Sequence, residues 1–317
     1  MPPEKKRRKP MFKAPGASYA GALEPLTDDE RAVAQSLTAD VKRLAGAIGE
    51  RNLDHFAKLV EAAAFIEAEF KQAGYQTARQ SFDTRGRGCD NIEAELAGAA
   101  LAGEIVIVGA HYDTNPGTPG ADDNGSGIAG LLSLARRLAA DKPARTVRFV
   151  AFANEEAPYF QTPQMGSLVY ARRSKERGER ITAMLSLETI GYYSDQPNSQ
   201  HYPLIVSLMY PSTGNFIGFI GNMESQPLVE QATTAFRRAA KFPSEGAALP
   251  DAIDGVGWSD HWSFWQQGYP ALMVTDTAPF RNPNYHQATD TPDTLDYERT
   301  ARVVVGLEAV VRELAKP

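Results

Sequence analysis

Histidine and acidic side chains recur in this sequence just after short apolar segments or beside helical patterns. The residues concerned are His111, Asp113, Asp122, Asp123, Glu155, Glu156, Glu188, His286 and Asp290. Imidazole combined with carboxylate is a ligand set that suits zinc. Adjacent carboxylates at a buried sheet edge repel one another unless a cation compensates them. Taken singly, Asp122-Asp123 could cap a helix and Glu155-Glu156 could be a solvated turn, but together the residues favour metal chemistry.

Alternating strand and helix patterns would position these side chains. Strands are predicted at 76–82, 91–96, 104–109, 146–152, 182–187, 204–209 and 271–274, and helices at 27–48, 55–73, 126–140, 165–177, 226–240, 260–267 and 296–315. The alternation predicts an α/β fold with a mostly parallel central sheet, flanked by helices on both faces. Ligands of such sheets bind beyond the carboxyl ends of the strands, so the candidate residues should converge there.

The composition excludes several classes of protein. Of the 317 residues, 43% are hydrophobic and 23% are charged, which is ordinary for a folded globular protein. A single cysteine, Cys89, rules out an intrachain disulfide and a cysteine-based zinc finger. The net charge of −6 disfavours nonspecific binding to nucleic acid. No apolar run approaches the roughly 20 residues that span a bilayer, so we expect neither a nucleic acid nor a membrane as partner.

The first 26 residues differ from the rest because they are rich in proline and carry the basic run Lys5–Lys9. We expect 1–26 to be a disordered or extended basic arm and 27–317 to be one domain. A nuclear-localisation or anionic-surface patch is the alternative interpretation of the basic run. No secretory signal is visible, so a cytoplasmic location is expected, or a secreted or periplasmic one if a signal has been removed.

The ordered motifs resemble the co-catalytic di-zinc aminopeptidase family. They are His111-x-Asp113, Gly-Ala-Asp122-Asp-Asn-Gly-Ser-Gly, Glu155-Glu156, Glu188, Ser259-Asp260-His261 and Tyr-His286, in this order. Relatives of that family include glutamate carboxypeptidase II, the transferrin receptor ectodomain and glutaminyl cyclase. The resemblance implies that 27–317 is a single zinc-exopeptidase-like catalytic domain that acts on peptides.

The resemblance also implies two zinc ions per chain and a role for each matching residue. The implied metal ligands are His111, Asp122, Glu156, Glu188 and His286, with Asp122 bridging the two ions. Glu155 would be the general base that deprotonates a bridging water, which the paired ions would activate beside a polarised peptide carbonyl. Asp113 would fix the tautomer of His111, and Asp290 would do the same for His286. A cis peptide is expected at Asp122–Asp123.

Two positions depart from the family pattern. Glu188 stands where the family usually has aspartate, and its extra methylene changes the reach, so we expect a weaker or exchanged metal there. Val256 stands where some relatives place a tyrosine that stabilises the oxyanion. The loop with Tyr192, Tyr193 and His201 could supply another donor.

Three functional hypotheses remain at this stage. The leading one is a metal-dependent aminopeptidase, a hydrolase that removes N-terminal residues from peptides. The alternatives are acyl transfer by a single-zinc, glutaminyl cyclase-like enzyme and a non-catalytic zinc-binding scaffold. Retention of all five ligand positions and of the base favours the peptidase, whereas the oligomeric state stays open.

The substrate preference is weakly encoded. Trp258, Trp262, Phe264, Trp265 and Phe280 should mostly be core residues. One or two of them could line an apolar pocket for leucine, phenylalanine or methionine at the substrate N-terminus. Arg281 is a candidate contact for a substrate carboxylate.

Overall fold

Strands and helices alternate along the chain in the computed structural model, which describes residues 12–203 and 206–317. The strands are β1 (Phe12–Lys13), β2 (Thr77–Thr84), β3 (Arg87–Leu96), β4 (Leu101–His111), β5 (Arg145–Phe152), β6 (Arg180–Glu188), β7 (Ile217–Asn222), β8 (Ser244–Leu249) and β9 (Ala271–Thr275). The helices are α1 (Asp28–Val41), α2 (Phe56–Gln72), α3 (Gly127–Leu138), α4 (Gly166–Glu176), α5 (Gln226–Ala239), α6 (His261–Trp265) and α7 (Tyr297–Leu314). π-Helical segments follow α1 at Lys42–Ile48 and precede α3 at Ala121–Ser126.

The described strands form one sheet in the order β1-β8-β7-β9-β6-β4-β5-β3-β2. The pairs β4–β5, β4–β6, β6–β9 and β7–β8 are parallel, whereas β1–β8, β2–β3, β3–β5 and β7–β9 are antiparallel. The α/β class and the single sheet are confirmed, but the expectation of a mostly parallel sheet is wrong, because the sheet is mixed. Local apolar patterns do not reveal strand direction, and β2 and β3 are joined by a short turn that forces them antiparallel.

Both faces of the sheet are covered by helices. Along β4, Val106, Val108 and Ala110 pack into a core with residues of α1, α2, α3, α5 and α7. Ile105 and Ile107, on the opposite face, pack into a smaller core with residues of α4 and α6. Burial on both faces explains the continuously apolar run of this strand. The carboxyl end of β4, where His111 lies, is therefore fixed between two layers of helices.

Two inner strands, β7 and β8, form where the sequence predicts none. β7 and β8 were not expected, because their sequences Ile-Gly-Phe-Ile-Gly-Asn and Ser-Glu-Gly-Ala-Ala-Leu are rich in residues that are depleted in strands. The strand expected at 204–209 does not form over 206–209, where the chain turns, and 204–205 lie outside the described residues.

The basic run Lys5–Lys9 also lies outside the described residues. From residue 12 onward the arm is extended and packed against the domain: β1 pairs with β8, and Arg237 donates hydrogen bonds to the carbonyls of Pro15 and Gly16. The boundary at residue 26 stays a prediction. Within 12–203 and 206–317, no helix is both long and apolar enough to cross a membrane.

Candidate active site

The sheet brings the predicted histidines and carboxylates to one edge, as expected from the carboxyl ends of its parallel strands. His111 ends β4 and Glu188 ends β6. Glu155 and Glu156 follow β5 in a buried turn. His286 lies in the loop before α7 with a left-handed φ of 56°, a backbone conformation that costs energy for a side chain other than glycine.

One group of potential ligands surrounds the imidazole of His111. Its Nε2 lies 3.2 Å from Oδ1 of Asp123 and 3.3 Å from Oε2 of Glu188. All three residues are buried, and this nitrogen makes no hydrogen bond despite these short distances. Donor atoms that converge without bonding one another fit a metal ion between them.

A second group surrounds the imidazole of His286. Its Nε2 lies 3.0 Å from Oδ2 of Asp123 and 3.3 Å from Oε1 of Glu156. Again the histidine nitrogen and the Glu156 oxygen are buried without a hydrogen-bond partner. Each group offers three ligand atoms within 4.8 Å of one another, and Asp123 contributes to both groups. The ligand chemistry of both groups therefore fits a metal ion.

Asp122 was expected in this bridging position, and the structure corrects the assignment by one residue. Its Oδ1 accepts a hydrogen bond from the amide of Gly191 at 3.0 Å, and its Oδ2 accepts one from Asn282 Nδ2 at 2.7 Å. Both oxygens are thus occupied away from the histidines. The cis peptide bond is displaced in the same way, since it joins Asp123 to Asn124 rather than Asp122 to Asp123.

Asp113 and Asp290 hold the backbone of the acidic pairs. The carboxylate of Asp113 accepts hydrogen bonds from the amides of Glu155 and Glu156 at 3.0 and 3.1 Å. Oδ1 of Asp113 also lies 3.5 Å from Nδ1 of His111, but the hydrogen-bond contact of that nitrogen is with the backbone carbonyl of Asp113 at 3.2 Å, so a role of the carboxylate in fixing the tautomer stays a prediction.

Asp290 acts on a different partner from the one expected. Its carboxylate accepts hydrogen bonds from the amides of Asp122 and Asp123 at 2.9 and 3.1 Å. No contact between its carboxylate and His286 is seen among the described residues, so it orients the aspartate pair instead.

Burial and mutual repulsion shift the pKa values of this cluster strongly. Burial raises the pKa of Glu156 to about 7, and burial also raises the pKa of Glu155 and of Glu188. Burial alone would lower the pKa of His286, but Asp123 and Glu156 raise it to about 10. A site whose acids resist ionisation and whose imidazoles are held cationic has an excess of negative charge, which a bound cation would relieve.

Comparison with known proteins identifies the family of this chain. Residues 91–311, more than half of the chain, match peptidase family M28. The chain belongs to peptidase family M28. The resemblance found in the sequence, and with it the expected class of metal-dependent peptidase, is thereby confirmed.

Individual relatives agree with this assignment. The M28 peptidase is 38% identical to the uncharacterized protein YfbL of Escherichia coli strain K12, over 86% of each chain. It is 29% identical to leucine aminopeptidase 1 of Arthroderma otae over 67% of this chain, which spans only 55% of that protein. Its fold resembles the zinc aminopeptidase BSAP of Bacillus subtilis, with a TM-score of 0.70 and 16% identity over 90% of this chain and 95% of that one.

Residues that sequence reasoning passed over complete the site of this peptidase. Ser259 donates a hydrogen bond of 2.8 Å to Oε2 of Glu188, which orients that carboxylate. Arg51 is fully buried and donates to the carbonyls of Tyr112, Pro119 and Gly120, which braces the loop leading to Asp123. A lone arginine between two helical patterns carries no local signal, whereas Ser259 lies in a motif that was already singled out.

One of the loop residues that could replace the missing tyrosine, Tyr193, is engaged elsewhere. Val256 is buried, and the hydroxyl of Tyr193 donates to the carbonyl of Ile190. Tyr285 instead stacks on His286 with ring centroids 3.9 Å apart. Burial, and then the charges of Asp123 and three glutamates of the site, raise the pKa of Tyr285 well above its usual value, so its phenol is a protonated donor beside the ligands.

An apolar pocket begins beside Glu188. Trp258 and Phe280 line it, and their rings stack with centroids 6.2 Å apart, whereas Phe264 is fully buried in the core. Arg281 is not a free carboxylate contact, since it is buried and donates to Gln200 and to the carbonyl of Phe216. The aromatic residues thus divide between core and pocket.

Proposed function

We propose that this M28 peptidase is an aminopeptidase that uses two divalent metal ions. One ion would lie among His111, Asp123 and Glu188, and the other among Asp123, Glu156 and His286. The observation that carries the proposal is the carboxylate of Asp123, whose two oxygens face two different histidines at 3.2 and 3.0 Å. Zinc is the metal that this set of imidazoles and carboxylates suits.

When bound, a pair of metal ions of this kind polarises a peptide carbonyl and lowers the pKa of a water molecule. Glu155 belongs to neither group of ligands, yet its Oε2 lies 3.8 Å from Nε2 of His111. Its buried carboxylate has a raised pKa, which suits a group that must take a proton and release it again. We therefore assign Glu155 as the base that accepts the proton of the attacking water and delivers it to the nitrogen of the leaving amine.

Tyr285 is the donor we assign to the developing oxyanion. It lines the same pocket as Glu188 and stacks on His286, so it borders both the substrate side and the ligand side of the site. A phenol donor held in this position would strengthen its hydrogen bond as negative charge develops on the carbonyl oxygen. Its place at position 285 would compensate for the valine at position 256.

Metal analysis combined with an activity panel tests the proposal. The purified protein should hold two equivalents of zinc and hydrolyse aminoacyl amides, and chelation should abolish activity and lower Tm, because a bound metal stabilises only the folded state. One equivalent of zinc with cyclisation of N-terminal glutamine would favour the cyclase alternative. The fold does not separate these classes, since it occurs in zinc aminopeptidases and in glutaminyl cyclases.

A further inference from the structure

The pocket beside Glu188 follows a row of aligned residues across four strands. Glu188 pairs with Thr275, Thr275 with Gly218, and Gly218 with Glu245 in adjacent strands β6, β9, β7 and β8. Aligned residues of neighbouring strands point to the same face, and three strand spacings separate the ends of the row by about 14 Å. Gly218 has no side chain of its own, and the side chain of Ile220 packs over it, so the surface between the two glutamates is apolar.

Glu245 at the far end of this row lacks a hydrogen-bond partner for one oxygen. The residue is only 6% exposed, and its Oε2 accepts no hydrogen bond. Two cations lie near, Lys13 at 3.4 Å and Arg237 at 3.9 Å. Lys13 also donates to the carbonyl of Met209, and Arg237 to backbone carbonyls, so each cation is shared between Glu245 and the backbone. The charge of Glu245 is therefore partly balanced, while its buried Oε2 is left without a hydrogen bond in a residue that lines the pocket.

The walls of the pocket combine apolar rings with negative charge. The lining also includes the aromatic rings of Tyr202, Phe216 and Phe280 and the exposed carboxylate of Asp254. Among the described lining residues there are three carboxylates and no lysine, arginine or histidine. Such a pocket complements a long apolar stem that ends in a cation, since lysine and arginine bury their methylenes along apolar surface and are attracted by ring faces.

Building on the aminopeptidase activity proposed above, we propose that the pocket selects peptides that begin with arginine or lysine. The α-amino end of the substrate would lie at Glu188, the stem of the first side chain would pass over Ile220, and Glu245 would accept hydrogen bonds from its cationic tip. A leucine side chain would fill only the near part of the row. Glu245 is then a specificity-determining residue rather than a catalytic one.

Paired substrates and paired variants test this assignment. Wild type should have a higher kcat/KM for arginine and lysine p-nitroanilides than for the leucine p-nitroanilide. In Glu245→Gln the ratio of the arginine value to the leucine value should fall about tenfold or more, because a charge-assisted hydrogen bond is lost. In Lys13→Met the same ratio should rise, since a competing cation is removed. If Glu245 only anchors the N-terminal arm, both variants would lower Tm and leave the ratio unchanged, which would overturn the proposal.

Failure of this inference can be told apart from failure of the proposed function. Wild type that hydrolyses leucine and arginine substrates equally well would overturn the pocket assignment and leave the aminopeptidase intact. If no aminoacyl amide is hydrolysed, the proposed function fails, and binding of argininamide and leucinamide then decides the assignment through their shifts of Tm. A larger shift with argininamide that is lost in Glu245→Gln supports the pocket, and equal shifts overturn it.

Discussion

Two pairs of adjacent acids, Asp122-Asp123 and Glu155-Glu156, are built alike but used differently. In each pair a third carboxylate accepts hydrogen bonds from both backbone amides: Asp290 holds the aspartates and Asp113 holds the glutamates. This arrangement fixes the backbone without using the side chains of the pair. The side chains are therefore free to differ in what they contact.

The two pairs differ in the hydrogen-bond donors that surround their first members, Asp122 and Glu155. Asp122 faces the amide of Gly191 and the side chain of Asn282, which occupy both of its oxygens. Among the residues that the structure describes, none donates a hydrogen bond to the carboxylate of Glu155, which lies beside His111 in the site. A carboxylate adjacent in sequence to a metal ligand thus has a structural role when protein donors hydrogen-bond both of its oxygens. It remains available for proton transfer when they do not.

The largest difference in activity should appear when the two aspartates are substituted one at a time. Asp123→Asn replaces one of its two ligand oxygens by an NH2 group and removes the negative charge that faces both histidines, so we expect weaker binding of both metal ions and a fall in kcat/KM of more than about 10³-fold. Asp122→Asn should keep both metal ions and lower activity by no more than about 10–100-fold, because its amide places an NH2 group against Gly191 or Asn282 but removes no ligand oxygen. Metal analysis and rates of both variants check this, and equal losses would break the distinction between the two residues.

A second comparison separates the two glutamates. Glu155→Gln keeps size but removes basicity, so kcat should fall by about 10²–10⁴-fold with the zinc content preserved. Glu156→Gln removes a ligand oxygen that faces His286, so zinc affinity and Tm should fall as well as the rate. Zinc titration and melting curves distinguish the variants. Near-normal activity of Glu155→Gln would show that the base is assigned wrongly.

A smaller effect is expected at the two carboxylates that hold the pairs. Asp113→Asn and Asp290→Asn each replace one of two accepting oxygens by an NH2 group. This group faces a backbone N–H and cannot accept its hydrogen bond, so the backbone of the adjacent acidic pair is misoriented. We expect losses of about 10–100-fold in activity or metal affinity, the range found for groups that orient metal ligands. Asp113→Asn should lower kcat more, because it acts on Glu155, and Asp290→Asn should lower metal affinity more, because it acts on Asp123. Kinetics and zinc titrations check this. The reverse pattern would contradict the assignment of Asp113 to the base and of Asp290 to the metal ligand.

The smallest effect concerns the donor that makes Asp122 structural. Asn282→Ala removes the hydrogen bond to Oδ2 of Asp122 and leaves a buried acceptor unpaired, which costs about 1–3 kcal/mol of stability. The free energy of unfolding should fall by that amount in denaturant titrations, with metal stoichiometry retained. An unchanged stability would mean that Asp122 finds another donor, and the contrast with Glu155 would weaken.

The ends of the strands were the most predictable part of the molecule. Each continuously apolar run could be located from its own residues, and the polar residues that follow β4, β5 and β6 had to meet at one edge once those strands were parallel. Strands β7 and β8 escaped prediction because their glycine and alanine residues carry little local preference for a strand. These two strands form the floor of the pocket, so its shape was not foreseeable either.

The sequence alone determined which kinds of side chain gather at the sheet edge, because the order of motifs and the apolar strands are local properties of the chain. Only the tertiary structure decided which member of an adjacent pair faces the histidines. Asp122 and Asp123 are chemically identical, and what separates them is the supply of donors from Gly191 and Asn282, which are distant in the chain. The mixed direction of the strands was decided in the same way, because pairing depends on long-range contacts that no single segment encodes.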